Sequence, residues 1–363
     1  MLFGELKHKE YTVEIEQPEI YVDNESRKRS GHMSHAMAEF APGKFIDFNS
    51  NCSAVRLGGH FPYGWVEYRI SEDSGKTYSD VHTLQYSLDS FYDGVYTISV
   101  EKAVACDDGT IVAFCLRNDG LDPNLTFCEP WKTPTVITSN DGGLTWSNPL
   151  IYSPYPGRTY DAFYYKGVIY AIHFCNEKFL GKTPDHKYRI YTSNDNGKSF
   201  TELSVVPFDT YDRGYCSMLH DNNDTLHVYA YNLNAEEYMD HAISKDFGKT
   251  WEVLEPCYVE KGIRNPQTAL IDGVYILHGR AGKAEGFVIY SSKDATHWDE
   301  GCMLIHNKDA AAFYSNNLNL NDEKGNYLLV QYSDLYKNIT KETQYAVNVM
   351  HMKVRVKNNN FVR

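Results

Sequence analysis

The stretch Ser71-Glu-Asp73-Ser-Gly75-Lys-Thr77-Tyr78 recurs as Ser139 to Trp146, Ser193 to Phe200 and Ser244 to Trp251, each fitting SxDxGx[TS] followed by an aromatic residue. Repetition on this scale decides the architecture, because each repeat is one supersecondary unit that buries its apolar face only against its neighbours. The copies follow apolar, β-branched or aromatic runs (Val66-Glu-Tyr68-Arg-Ile70, Thr135-Val-Ile137, Tyr188-Arg-Ile190-Tyr191) and precede polar residues, the pattern of a hairpin turn between two strands. Within such a turn the aspartate accepts backbone N–H groups, glycine supplies a backbone angle that other residues resist, and the aromatic packs back between strands. These roles are structural. A fifth, shortened copy, Ser292-Lys-Asp294-Ala-Thr-His-Trp298, lacks the glycine and one residue of spacing, and reads as a decayed repeat.

A chain of 363 residues with 42% hydrophobic content can bury a large core, and length alone would divide it into two or three domains. The repeat overrides that expectation. Asp73, Asp141, Asp195, Asp246 and Asp294 recur roughly every fifty to seventy residues with no linker or charge block between them. A blade of four short strands needs about that length. The expected fold is therefore all-β: one six-bladed β-propeller domain over residues 1–363, its last blade closed by a strand from the N-terminus.

With 35 basic against 48 acidic residues the net charge is −13, which opposes binding to nucleic acid and to anionic membrane surfaces. No apolar run approaches the length of a transmembrane helix, and the opening Met1-Leu-Phe-Gly-Glu-Leu-Lys-His-Lys-Glu lacks the apolar core of a signal peptide. Eight cysteines (52, 106, 115, 128, 175, 216, 257 and 302) show no CxxC or regular spacing and read as small buried hydrophobes, which places the chain in a reducing cytoplasm. No Walker A loop, GxGxxG or GxSxG elbow is present, so no nucleotide cofactor is expected.

A second periodicity points at the site. Paired runs open each blade: 33–38 with 45–48, 100–105 with 111–114, 159–163 with 168–172, 215–218 with 226–229, 265–269 with 274–277, and 314–318 with 327–330. In a propeller the first strand of each blade lines the central tunnel, and its entry end lies at the mouth where ligands bind. The residues at those entries are polar and varied: His32 and His35; Glu101 and Lys102; Arg158, Tyr160 and Asp161; Arg213 and Tyr215; Arg264, Asn265 and Gln267; Tyr314, Asn316 and Asn317. The ends of the second strands add Asn51, Asn118, Asn176, Asn232, His278 and Arg280. So polar a ring exceeds what packing needs and marks a polar ligand site. The pair His32-Met-Ser-His35 is not read as a metal site, because residues three apart on a strand point to opposite faces.

The repeated turn resembles the Asp-box, or BNR repeat, and the chain is similar over most of its length to the sialidase-like six-bladed propellers. That family holds hydrolases, lyases and non-catalytic binding proteins, and its Asp-boxes lie on the rim away from the active face. A sialidase also uses three arginines to clamp a substrate carboxylate, an Asp acid/base, and a Tyr nucleophile activated by a Glu. The resemblance would put the first clamp arginine on Met33, the second within Glu236-Glu-Tyr238-Met-Asp240 and the third near Lys283-Ala-Glu285, so the clamp is missing. The region of the acid/base, Arg56-Leu-Gly-Gly-His60-Phe-Pro-Tyr63-Gly-Trp65, offers His60 and no carboxylate. Tyr314-Ser-Asn-Asn-Leu318 resembles the family's Tyr-Ser-x-Leu segment, whose tyrosine is the nucleophile, with one residue inserted.

These residues support a glycoside hydrolase that removes a terminal sugar, with Tyr314 and His60 as the reacting pair and Glu101 and Asp161 as supporting carboxylates. Arg158, Arg213, Arg264 and Arg280 are available for an alternative anion clamp. Two other readings stay open. A polysaccharide lyase would use His60 and Tyr314 on a uronate; a binding propeller without turnover would stack sugars on Tyr63, Trp65, Trp131, Tyr160 and Tyr215. All three take a small carbohydrate partner, with no metal or other cofactor.

Overall fold

The computed structural model describes residues 2–55, 63–94, 96–118, 132–174, 186–307, 312–338 and 345–359. Six antiparallel sheets are arranged about one axis. Five follow chain order from the inside outward: Met37–Ala41 to His82–Thr83, Thr97–Ala105 to Leu150–Ile151, Arg158–Tyr165 to Thr201–Val206, Arg213–His220 to Glu252–Tyr258, and Gln267–Ile271 to Cys302–His306. The sixth runs Ser315–Asp322, Gly325–Leu335 and Val347–Asn358, and then takes Tyr11–Glu16 and Leu2–Lys7 from the other end of the chain, with Val13 paired to Val356. The N-terminal closure expected from the sequence is thus present. Each innermost strand packs on the innermost strands of both neighbouring blades, and the contact of Ser315–Asp322 with Met37–Ala41 closes the ring.

Position across the blade governs composition. The second strands are sandwiched between neighbouring sheets, so Ile111–Leu116 and Val274–Arg280 are buried at every residue and read as near-continuous apolar runs. The outermost strand Glu252–Tyr258 is mostly exposed and carries Glu252 and Glu255 among its apolar residues. Seven apolar clusters among the described residues fill the six interfaces between blades; Ile98 and Phe48 share one, and Tyr188 and Val228 another. The cysteines at 52, 106, 115, 216 and 257 are buried and that at 302 is half-buried, all as free thiols, while Cys128 and Cys175 lie outside the described residues.

The serine–aspartate turns join third to fourth strands. In the first, Asp73 Oδ1 accepts from the N–H groups of Lys76 and Thr77 at 3.0 and 2.8 Å, its Oδ2 accepts from the Thr77 hydroxyl at 2.6 Å, and Ser71 Oγ accepts from Gly75 N at 2.9 Å. Gly75 holds φ at +76°, a region where a Cβ is strained. The turns also tie each blade to the one before it. Tyr327 Oη donates to Ser74 O at 2.7 Å, Tyr68 Oη to Gly143 O at 2.6 Å and Ser204 Oγ to Gly248 O. The fifth copy keeps this geometry despite its missing glycine: Ala295 takes φ +62°, and Tyr229 Oη donates to its carbonyl at 2.7 Å. Its sequence has drifted further than its shape.

One helix, Gln85–Asp93, was not expected from the sequence. Its Phe91 packs on Tyr63 and Trp65 at ring distances of 5.2 and 5.6 Å, which gives those two aromatics a structural neighbour. No helix among the described residues is long and apolar enough to cross a membrane.

Candidate active site

Antiparallel order puts the serine–aspartate turns at one end of the axis and the entries of the inner strands at the other. At those entries the strands leave regular pairing. In the second blade the register slips between Phe114–Lys102 and Cys115–Val100, so Glu101 is the extra residue. In the third blade Tyr160 is extra between Thr159 and Asp161, and in the fourth Gly214 and Tyr215 together face Tyr231. The other three blades break with positive φ angles, at Ser34 (+67°), Asn265 (+39°) and Phe313 (+70°). A bulge re-aims the side chain it carries, and here three bulges and three positive-φ breaks mark the six inner-strand entries.

Their combined effect is a cavity of about 40 Å³. It brings together nine of the candidates: His35, Glu101, Arg158, Tyr160, Tyr215, Asn265, Gln267, Tyr314 and Asn316. The volume holds a substituent or two and not a sugar ring, and the cavity forms a floor at the inner-strand entries. Met33, Ser34, Thr159, Cys216, Pro266 and Ser315 also line it. The sequence reading named none of these as ligand-facing; they follow only from the bulges.

Tyr314 is the centre of the floor. Its hydroxyl lies 2.9 Å from that of Tyr215, and the guanidinium groups of Arg280 and Arg158 stand 4.8 and 5.8 Å from its ring centre. His32 does not line the cavity but packs edge-on against the Tyr314 ring at 5.0 Å. Arg158 forms an ion pair with Glu101 and lies over the rings of Tyr215 and Tyr160 at 5.3 and 5.4 Å. Burial alone would lower the Arg158 pKa, but the Glu101 charge and the three phenols outweigh it and raise it.

Asp161 lines the tunnel beyond the floor rather than the cavity itself. Its Oδ1 is 2.8 Å from Lys102 Nζ, and its Oδ2 accepts from Ser217 Oγ and Met218 N, both at 2.9 Å. Lys102 also donates to Asn316 Oδ1 at 2.8 Å. This group locks four inner strands together. His278 lies between the fifth and sixth blades, 3.1 Å from Ser315 Oγ and 2.9 Å from Asn317 Nδ2, and burial depresses its pKa to about 3. His278 and Asn317 therefore serve the blade interface.

The remaining arginines are not gathered into a fork. Arg213 pairs with Asp240, and Arg264 Nε lies 3.2 Å from both Glu236 Oε1 and Tyr231 Oη. Arg280 donates from Nε to Ala312 O at 3.0 Å. Asn51 is held between Arg29 and Glu67, and Asn232 caps the turn that follows it. His60, Trp131 and Asn176 lie outside the described residues.

The segment holding His32 and His35 is irregular and the strand begins only at Met37, so strand alternation does not govern the pair. His35 is turned to Gln331, and no cluster of three metal-ligating side chains occurs among the described residues. The His35 tautomer follows from its neighbours. Gln331 Nε2 faces the Asp47 carboxylate and Phe48 O, so its Oε1 faces His35 and takes the Nδ1 proton at 2.6 Å. His35 Nε2 is then an acceptor on the cavity side, and burial lowers the pKa to about 4, so the ring is neutral at pH 7.

No family model matches the chain, and no curated protein does. Solved structures match it. A protein of unknown function from Dyadobacter fermentans superposes with a TM-score of 0.69 at 16% identity, covering 95% of this chain and 99% of the other. The Hadza microbial sialidase Hz136 gives 0.63 at 14% identity over 93% of this chain and 68% of its own. Trypanosoma rangeli sialidase, in complex with a difluoro-nononic acid, gives 0.61 at 12% identity over 88% of this chain and 52% of its own, so this chain spans about half of that enzyme. The protein has the six-bladed propeller fold of the sialidases. At these identities the likeness carries the fold and leaves the chemistry to the site.

Proposed function

We propose that the protein is a glycoside hydrolase that removes a terminal sugar from an oligosaccharide or glycoconjugate, with Tyr314 as nucleophile. The observation that supports this most directly is the setting of Tyr314, a buried phenol on a cavity floor with two guanidinium groups against its ring. Cations packed on the ring hold the phenol in place with its hydroxyl at the cavity. The phenol oxygen attacks the anomeric carbon, the glycosidic oxygen leaves with a proton, and water then hydrolyses the glycosyl–tyrosine. Glu101, the carboxylate among the described lining residues, receives the phenolic proton. His60 is the proposed donor to the leaving group, from its place in the sequence.

An aryl-glycoside and oligosaccharide screen of the purified chain tests this reading. Release of reducing sugar, abolished by Tyr314→Phe, is the expected result. A product absorbing in the near ultraviolet would signal an unsaturated uronate and a lyase, and ligand-induced stabilisation without any product would leave a binding propeller.

A further inference from the structure

We infer that the floor of this site selects an uncharged, hydroxyl-bearing sugar and discriminates against sugars that carry a carboxylate. The inference rests on the carbohydrate reading above and deepens it. Two independent features of the floor carry it.

The first is charge. A carboxylate is recognised by guanidinium forks with donors to offer it. Here Arg158, Arg213 and Arg264 are already matched by Glu101, Asp240 and Glu236 respectively. At these three arginines an incoming carboxylate would have to displace a resident one.

The second is the polarity of the unmatched groups. Asn265 is 6% exposed, lines the cavity, and has no hydrogen-bond partner for Oδ1 or Nδ2 among the described residues. Gln267 donates from Nε2 to Pro266 O at 3.1 Å, which fixes its Oε1 as the unmatched atom. His35 Nε2, an acceptor by the argument above, is likewise unmatched. Buried polar atoms are unmatched elsewhere too, at Asn24, Asn118 and His173, but here three such side chains share one cavity, where one ligand would complete them together. Three of these four atoms are acceptors. They call for O–H donors, which a hydroxyl supplies and a carboxylate does not. Arg158 Nε, also unmatched, is served by the same hydroxyl as acceptor.

The test measures binding rather than turnover. Methyl glycosides of neutral hexoses, 6-deoxyhexoses and pentoses are titrated calorimetrically into the full chain beside the methyl glycosides of sialic acid and glucuronic acid. At least one neutral glycoside should bind, with little change in affinity between low and high salt, and the acidic ones should bind more weakly. Asn265→Gly keeps the positive backbone angle and removes the amide; Gln267→Met keeps the volume and removes the acceptor. Each should weaken the neutral ligand about ten- to hundredfold while the melting temperature is retained. Tighter binding of an acidic glycoside, no binding of any neutral one, or affinity indifferent to both variants overturns the inference. Amide-dependent binding of a neutral sugar without turnover would defeat the hydrolase proposal alone, and turnover of a sialoside that needs Tyr314 would defeat this inference alone.

Discussion

At the turn end of the propeller, Asp141 accepts from Ser139 and Thr145 within four residues of itself, and both its oxygens are matched although it is exposed. At the floor, Asn265 is buried on a strained backbone with neither amide atom matched. A carboxylate in water has solvent to bond, so the turn's hydrogen bonds buy only local order. A buried amide has no such alternative and is costly to leave idle. The turn end is complete by itself, whereas at the floor the proposed ligand would supply the missing partners.

Tyr314→Phe tests the contrast most severely. Removal of a nucleophile should lower turnover by about 10³-fold or more, while stability falls by no more than ~1 kcal/mol for the lost bond to Tyr215. Steady-state kinetics and urea unfolding on the same preparation check both. Retained turnover would take the phenol out of the mechanism.

Arg158→Met probes a floor residue that is structural as well. The side chains of Arg158 and Glu101 are 9% and 6% exposed, so removing the guanidinium strands a buried carboxylate and should cost about 3–5 kcal/mol. The double variant with Glu101→Gln should recover much of that loss. A single-variant cost near zero would mean that water reaches the pair.

How much of this was legible in the sequence follows from range. A serine–aspartate turn is made of contacts two to four residues apart, so its repeat, the blade count and the closing N-terminal strand could be read directly. The inner-strand entries were also found, because polar residues interrupt an apolar rhythm there. Which side chain faces the cavity was not legible, since each bulge shifts the alternation by one: Glu101 goes to the floor and Lys102 to the tunnel, Tyr160 to the floor and Asp161 beyond it. The partners of the arginines were hidden for a similar reason. Asp240 is 27 residues from Arg213, and nothing local announces the pair.

Asp141→Ala returns to the turn end, where the expected loss is about 1 kcal/mol with sugar affinity unchanged. The Thr145 hydroxyl and backbone N–H hold the Asp141 pKa down at about 2. Because the folded value is depressed, this stabilisation is whole above the unfolded pKa of about 3.9 and is lost as pH falls through the folded one. The stability gap between the parent and Asp141→Ala should therefore be constant at neutral pH and close between about pH 4 and pH 2. A gap that widened on acidification would mean that the carboxylate is not the stabilising group.

The smallest effect expected is that of His297→Ala in the drifted fifth turn. His297 Nδ1 lies 2.8 Å from Asp294 Oδ2, the place that the threonine or serine hydroxyl takes in the other four turns, but its side chain is 86% exposed. A side-chain contact so open to water is worth a few tenths of a kcal/mol. The backbone N–H groups of Thr296 and His297 still reach Asp294 Oδ1 at 2.9 and 2.8 Å, and neither depends on the imidazole. Urea unfolding should thus scarcely distinguish His297→Ala from its parent, whereas Thr250→Ala, which removes the 2.6 Å hydroxyl bond to Asp246 Oδ2, should cost more. The reverse order would mean that the drifted turn relies on its side chain where the intact ones rely on their backbone.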